Sequence, residues 1–451
     1  MRAARADERP PGMARIAFAA GFGTALEFYD FAIYGTAAAL VFNQVFFVTG
    51  DAWFGTFISL ATFAIGFLMA PLGAVLFGWL GDRRGRRYSL VLSFSAMGLS
   101  TVAMGLLPSY AVVGALAPIT LIALRMVHGL ARGGENVGAA VFATEHAPEH
   151  RRGLYGSFVA MGSPIGAMMA NGAFALVLLM PEDTVVTWGW RLPFLVGGVV
   201  LVVGLWVRRN VAETPEFQEM AAQAAAVADR APAPLPLAQV LRTNGRTVLL
   251  AAGVNIGLTA STFALTTFML SYATAAAPEG LGLPRGPVVL VSLLGLACHA
   301  LMNVASAALS DRLGRRPVMM FGAALSVPAA LAVFPLSGQG TVGSVALAVV
   351  LGFSATGVLF GPLYCFFAEL FPREQRQSGA GLAYHLGGVL GGGISPLVAN
   401  RIISGTGDAW NVGYYLAGLL VVSLLCLLAL PETAPVRRTR PTVPSKDGAP
   451  V

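Results

Sequence analysis

Five ionisable side chains interrupt otherwise apolar stretches: Glu27, Asp30, Arg125, Arg132 and Glu135. Glu27 and Asp30 are three residues apart, so on a helix they share a face and could take up and release a proton together. Arginine keeps its charge, so Arg125 could hold a carboxylate, from the protein or from a ligand, but never release a proton itself. Other chemistries lack their parts. Cys298, Cys365 and Cys426 all lie in apolar runs, where packing is expected rather than disulfides or metal ligation. His146 and His150 have no cysteine or suitable third ligand beside them, so no metal is expected. The only lysine, Lys446, follows no glycine-rich phosphate loop, and no catalytic dyad or nucleophile motif is present. Neither an ATP-driven pump nor an enzyme is indicated.

The elements that hold these residues belong in a membrane. Of the 451 residues 56% are hydrophobic and 11% charged, whereas soluble domains carry about 25% charged residues. Apolar segments fall at about 16–42, 53–80, 88–107, 114–143, 153–180, 191–208, 246–273, 287–309, 317–336, 342–368, 377–403 and 411–430. Each is long enough to be a span of about 20 residues. With the N-terminus inside, every one of the 29 Lys and Arg residues except Arg125, Arg132, Arg191, Arg285 and Arg401 falls on the cytoplasmic side. The positive-inside rule therefore places both termini in the cytoplasm. The expected fold is all-α, with twelve transmembrane helices in two six-helix bundles. The boundaries are a tail at 1–15, a bundle at 16–208, a connector at 209–245, a bundle at 246–430 and a tail at 431–451. In the connector, Glu216–Met220 begins a surface helix that Pro232, Pro234 and Pro236 stop. Arg2, Arg5, Arg9 and Arg15 precede a run with acids inside it, so no cleavable signal is expected and the protein should be multi-pass in the cell's inner membrane.

Two charged motifs repeat. Gly81-Asp82-Arg83-Arg84-Gly85-Arg86-Arg87 recurs as Ser310-Asp311-Arg312-Leu313-Gly314-Arg315-Arg316. Glu145-His-Ala-Pro148 running to Arg152 recurs as Glu369-Leu-Phe-Pro372 running to Arg376. All four lie at the cytoplasmic surface, far from the buried acids. They are expected to act as gate latches when the inner side is shut, with Asp82 and Asp311 meeting helix ends or the Glu145/Arg152 and Glu369/Arg376 clusters.

These motifs resemble the major facilitator superfamily and, within it, the metabolite:H+ symporter family. The narrower likeness rests on Glu27-Phe-Tyr-Asp30-Phe-Ala-Ile-Tyr34-Gly35, on Arg125-Met-Val-His-Gly129 running into Gly133-Gly134-Glu135, and on Trp188-Gly-Trp-Arg191-Leu-Pro193-Phe. Glu213-Thr-Pro215-Glu-Phe217 and Glu369-Leu-Phe-Pro372 add to it. The chain departs from the family pattern at Arg132, where a small or apolar residue is usual, and at Asn136, where an aromatic is common. The resemblance implies proton-coupled uptake of a small polar metabolite, an organic acid or a zwitterion. It also links the arginine at position 125 to proton coupling.

Depth estimates bring the buried charges together. At ~1.5 Å per residue Glu27 and Asp30 stand about 18 and 22 Å above the inner edge, and Arg125 about 20 Å above it. A pair between Arg125 and Asp30 with Glu27 nearby is expected, and one acid should then carry the coupling proton, because two carboxylates beside one guanidinium cannot both stay ionised cheaply. The bland alternative is a static lock between the first and fourth spans. Arg132 and Glu135 share a face further down and could pair with each other. Tyr34, Asn255, His299, Asn303, Tyr364, Tyr384 and His385 are polar residues at mid-depth, each explicable as an interhelical hydrogen bond. As a set they, with Arg125 and Glu135, would line a substrate cavity. Gly387-Gly388 and Gly391-Gly392-Gly393 read as close helix packing. The sum is a secondary transporter acting by alternating access. Its expected partners are a small molecule, protons and the lipid bilayer, without nucleic acid, and it should work as a monomer driven by the proton gradient with no cofactor. An exporter on the same scaffold is the alternative reading.

Overall fold

The computed structural model describes residues 13–48, 52–84, 86–134, 147–210, 236–277, 280–372 and 375–434. Among these residues the regular structure is helical throughout, with no strand. The long helices are α1 (Met13–Leu40), α2 (Ala52–Arg84), α3 (Arg86–Gly105), α4 (Leu116–Gly133), α5 (Arg152–Val177) and α6 (Arg191–Asn210). They continue as α7 (Pro236–Phe263), α8 (Arg285–Leu313), α9 (Arg315–Ser337), α10 (Val342–Phe360), α11 (Arg376–Gly388) and α12 (Trp410–Ala429). Three runs are interrupted but continuous in direction. A π-helical turn at Ala264–Phe268 carries α7 into Met269–Thr274, a break at Gly361 carries α10 into Leu363–Leu370, and a π-helical turn at Val389–Gly393 carries α11 into Ser395–Thr406.

Eight of these runs are long and apolar enough to cross a membrane, and a ninth, Glu182–Gly189 with Arg191–Trp206, is bent by 43°. The helices α1, α3 and α4 fall outside that measure. Buried charges lower the apolarity of two of them, since α1 carries Glu27 and Asp30 and α4 carries Arg125 and Arg132. Hydropathy placed most helix ends within a few residues. The helix α7 breaks at Asn244 (φ −127°, ψ 19°), so Pro236–Thr243 is a short helix ahead of the span, and the span proper begins close to residue 246, where the apolar run begins. Asp82 lies in the last turn of α2, and Arg86 opens α3.

The pairing of helices repeats along the chain. The pairs α1 with α5, α2 with α4 and α3 with α6 recur as α7 with α11, α8 with α10 and α9 with α12. The two groups meet where α5 packs on α8 and α2 packs on the α11 run. Glycines set these close approaches. Gly129 and Gly133 of α4 lie on the backbone of Gly66 and Ala70, while Gly357 and Gly361 of the α10 run lie on that of His299 and Asn303. Gly162 and Gly166 of α5 lie on α1, and Gly387 and Gly391 of the α11 run lie on α7. A side chain at any of them would strike backbone, so each pair of helices sits at glycine distance, as small residues allow between spans in lipid.

Candidate functional site

Arg125 is fully buried in the first group of helices. Its guanidinium carbon sits 4.1 Å from the Tyr34 ring centroid and 4.5 Å from that of Phe31. Gly66 makes the room, since a Cβ there would lie 2.6 Å from Nε. Its Nη1 is 3.3 Å from Nδ1 of His128, one helical turn on, while Nε and Nη2 have no hydrogen-bond partner. Cation–π contacts in a desolvated site are worth about 2 kcal/mol or more, so the aromatic rings partly replace the missing counter-charge. Tyr34 in turn donates to Thr62 Oγ1 at 2.6 Å.

The expected Arg125–Asp30 pair is not formed. Asp30 is buried, neither carboxylate oxygen has a hydrogen-bond partner, and it faces α3 and α6. A Cβ on Gly197 would lie 3.2 Å from Oδ1 of Asp30 and 2.9 Å from Cγ2 of Thr101. Arg132 takes the acid instead, its Nε meeting Oε1 of Glu27 at 3.3 Å with both side chains 3% exposed. Its guanidinium carbon lies 4.0 Å from the Phe31 centroid, so Phe31 carries Arg125 and Arg132 together. Depth put acids and arginines at compatible levels, but the turn of α1 sends Glu27 toward α4 and Asp30 toward α3 and α6. Glu135, the other acid that could pair with Arg132, lies outside the described residues.

The second group supplies a neutral wall. The Tyr364 and Tyr384 rings stack with centroids 5.6 Å apart. Both tyrosines are within electrostatic range of Glu27 and Arg132, and His385 is within range of Arg132. Asn255 donates from Nδ2 to the Tyr384 carbonyl at 2.8 Å, which binds α7 to α11. Asn303 is buried with neither end of its amide paired. Phe263 of α7 packs among Phe31, Phe63 and Phe67 of the first group, with centroids 5.9, 5.7 and 5.0 Å away. Next to this aromatic cluster is a cavity of about 40 Å³ between the groups, bordered by Phe28, Phe31, Asn171, Thr267 and His299. It has room for about three waters.

A second cluster ties the two groups at one end. Both carboxylate oxygens of Asp311 cap the first turn of α5, accepting from Gly153 N at 2.8 Å and Leu154 N at 2.9 Å. Arg315 Nη1 donates to the same carboxylate at 2.6 Å, and its Nε is 3.5 Å from Oε2 of Glu369. Thr433 donates to Glu369 at 2.7 Å, and Glu432 accepts from the backbone N–H of Arg315 and Arg316 at 2.9 and 3.1 Å. Between α8 and α9, Gly314 has φ +102°, a conformation that favours glycine, and a Cβ there would lie 2.6 Å from the Glu432 carboxylate. Arg312, on the last turn of α8, is exposed and forms no part of this cluster in the contacts described. Arg152 and Arg376 sit at the starts of α5 and α11. The side chains of Asp82, Arg83 and Arg86, and the whole of Glu145, lie outside the described residues. His128, Phe31 and the tail residues Glu432 and Thr433 were not among the candidates. The i,i+3 spacing of Arg125 and His128 was the available signal for the first; nothing in one sequence marked the others.

Comparison with known proteins gives a consistent result. The sequence profile of the Major Facilitator Superfamily matches residues 20–383 and again 256–449. The chain is 39% identical over 421 residues to the inner membrane metabolite transport protein YhjE of Escherichia coli, covering 93% of this chain and 94% of that one. It is 36% identical over 420 residues to the shikimate transporter of E. coli, covering 92% and 94%. In structure it is similar to the proton:xylose symporter XylE of E. coli, with TM-score 0.73 at 18% identity over 93% of this chain and 96% of that one. With buried charges beside a cavity between two groups of helices, the chain belongs to the Major Facilitator Superfamily and is a multi-pass membrane transporter, not an enzyme.

Proposed function

We propose that the protein is a proton-coupled symporter of a small polar metabolite, an organic acid or a zwitterion, in the cell's inner membrane. In this reading the twelve long helices are twelve spans with both termini cytoplasmic, and two six-helix bundles rock about the central cavity as a monomer. The proton gradient is the energy source and no cofactor takes part. The observation that carries the reading is Asp30, buried and with neither oxygen hydrogen bonded. An ionised carboxylate buried without a hydrogen bond or counter-charge costs far more than protonating it, so Asp30 holds a proton in this conformation. It gives the proton up when the bundles rock and water reaches it.

Arg132 and Arg125 hold the substrate carboxylate. Arg132 is the nearer to the second bundle, and its 3.3 Å contact with Glu27 is longer than the 2.7–2.9 Å of a strong charge-assisted bond. A carboxylate can displace Glu27 there, and the acid thus freed can receive a cationic group of a zwitterion. The Asp311 cluster, with its counterpart at Asp82, shuts the cytoplasmic side. In proteoliposomes with an imposed proton gradient, Asp30→Asn should abolish accumulation of substrate against its gradient while leaving substrate exchange intact. Concentrative uptake by that variant would refute the assignment, and outward movement of substrate as protons move inward would make the protein an exporter.

A further inference from the structure

We infer that the substrate carries a hydroxyl group and that His299, with Asn171 opposite, reads it. The inference rests on the transporter reading and narrows its substrate class. His299 is 2% exposed on α8, and its Nδ1 lies 3.1 Å from the Phe353 carbonyl oxygen. A carbonyl only accepts, so Nδ1 carries the hydrogen, and in the neutral imidazole Nε2 is then an acceptor. The Phe353 and Phe360 rings, with centroids 5.7 and 5.5 Å away, hold the imidazole in place. With Nδ1 committed to α10, Nε2 is the polar atom that the ring can offer to the cavity it borders.

Across the cavity, Asn171 is 3% exposed on α5 and anchored by Thr36 at 2.7 Å. The anchor uses one end of its amide and leaves the other for a ligand. Ser163, Thr262, Thr266 and Thr267 complete a polar border with no charged side chain in it. A carboxylate would set its lone pairs against that of Nε2. A methyl or quaternary ammonium group would leave a buried acceptor unpaired, which is the larger part of the cost of a missing partner. A hydroxyl both donates and accepts, so it satisfies the imidazole and the amide whichever end of Asn171 is presented. The charged end of the substrate belongs to Arg132, beyond Phe28 and Phe31, and its hydroxylated end to this cavity. The favoured class is therefore a hydroxylated carboxylate, ahead of simple dicarboxylates and permethylated zwitterions.

The test uses matched pairs on the purified full-length protein: glycerate against propionate, and a trihydroxycyclohexane carboxylate against cyclohexanecarboxylate. Thermal unfolding midpoints at graded ligand concentration give relative affinities, because a ligand stabilises in step with its affinity. At least tenfold tighter binding of a hydroxylated member than of its partner is expected, falling to near parity in His299→Gln and in Asn171→Ala. Equal binding within both pairs overturns the inference, as does binding of no hydroxylated probe or a preference unchanged in both variants. The wild-type comparison decides even if a variant fails to fold. Proton flux in proteoliposomes keeps the two readings apart. Flux without hydroxyl preference sinks this inference alone, and hydroxyl preference without flux sinks the symporter reading alone.

Discussion

Replacing Asp311 by Asn should loosen the end of the molecule at which α8 holds α5. The carboxylate accepts from two backbone N–H groups at 2.8 and 2.9 Å and from Arg315 at 2.6 Å, with the Asp311 side chain 8% exposed and that of Arg315 1%. Asparagine keeps the shape but offers one neutral acceptor, and turns an NH2 toward a donor. Hydrogen bonds to a charged group are worth about 1.5–3 kcal/mol and neutral ones about 0.5–1.5. Arg315 keeps Glu369 as a partner, which offsets part of the loss. A net cost of about 2 kcal/mol to the latched state follows. At about 1.4 kcal/mol per tenfold, the equilibrium shifts roughly 30-fold toward separation of α5 from α8. Cys365 reports that separation, being 1% exposed with Gly156 of α5 packed against it. With Cys298 and Cys426 replaced by serine, a water-soluble maleimide should label Cys365 roughly 30-fold faster in Asp311→Asn than in the parent, at a rate no different in the surface control Asp408→Asn. An unchanged labelling rate in Asp311→Asn would refute the latch and the capping argument beneath it.

Other perturbations follow from the same geometry. Glu27→Gln leaves Arg132 buried without its acid and should lower stability by about 3–5 kcal/mol; the double change Glu27→Gln, Arg132→Gln should recover more than half of that in thermal unfolding, and an additive loss would count against the pair. Gly66→Ala drives a methyl to 2.6 Å from Arg125 Nε and should cost about 1–3 kcal/mol by overpacking. Gly418→Ala in α12, where a Cβ meets nothing within 4 Å, should instead gain about 0.5–1 kcal/mol from helix propensity; similar melting shifts for the two would contradict the packing.

How much of this was legible depended on which coordinate of a helix was being read. Position along the chain was well marked, because a run of apolar residues ends where the charges begin. Rotation was not. Glu27 and Asp30 are close to one face on a helical wheel, yet α4 claims one and α3 with α6 the other. A single sequence does not say which neighbour packs on which side. The charged repeats were visible as text. The stronger witness to the repeat is geometric: Gly129 and Gly133 against Gly357 and Gly361, and Gly162 and Gly166 against Gly387 and Gly391, four residues apart in every case. As letters these are common among the chain's 54 glycines, and only the contacts single them out. The tail residues Glu432 and Thr433 carried no signal because their partners lie on α9 and the α10 run, far away in sequence.

The clasp made by Glu432 and Thr433 bears on how the protein can be handled. Leu430, Thr433 and Ala434 are all buried, and Glu432 also accepts from the N–H groups of Thr433 and Ala434 at 2.9 and 2.8 Å. The last helix is thereby fastened to the start of α9, which carries Arg315 and through it Asp311. A fluorescent reporter or affinity tag joined beyond residue 434 leaves that fastening whole. A truncation that ends with α12 removes it, and the shortened protein should be looser where α8 meets α5.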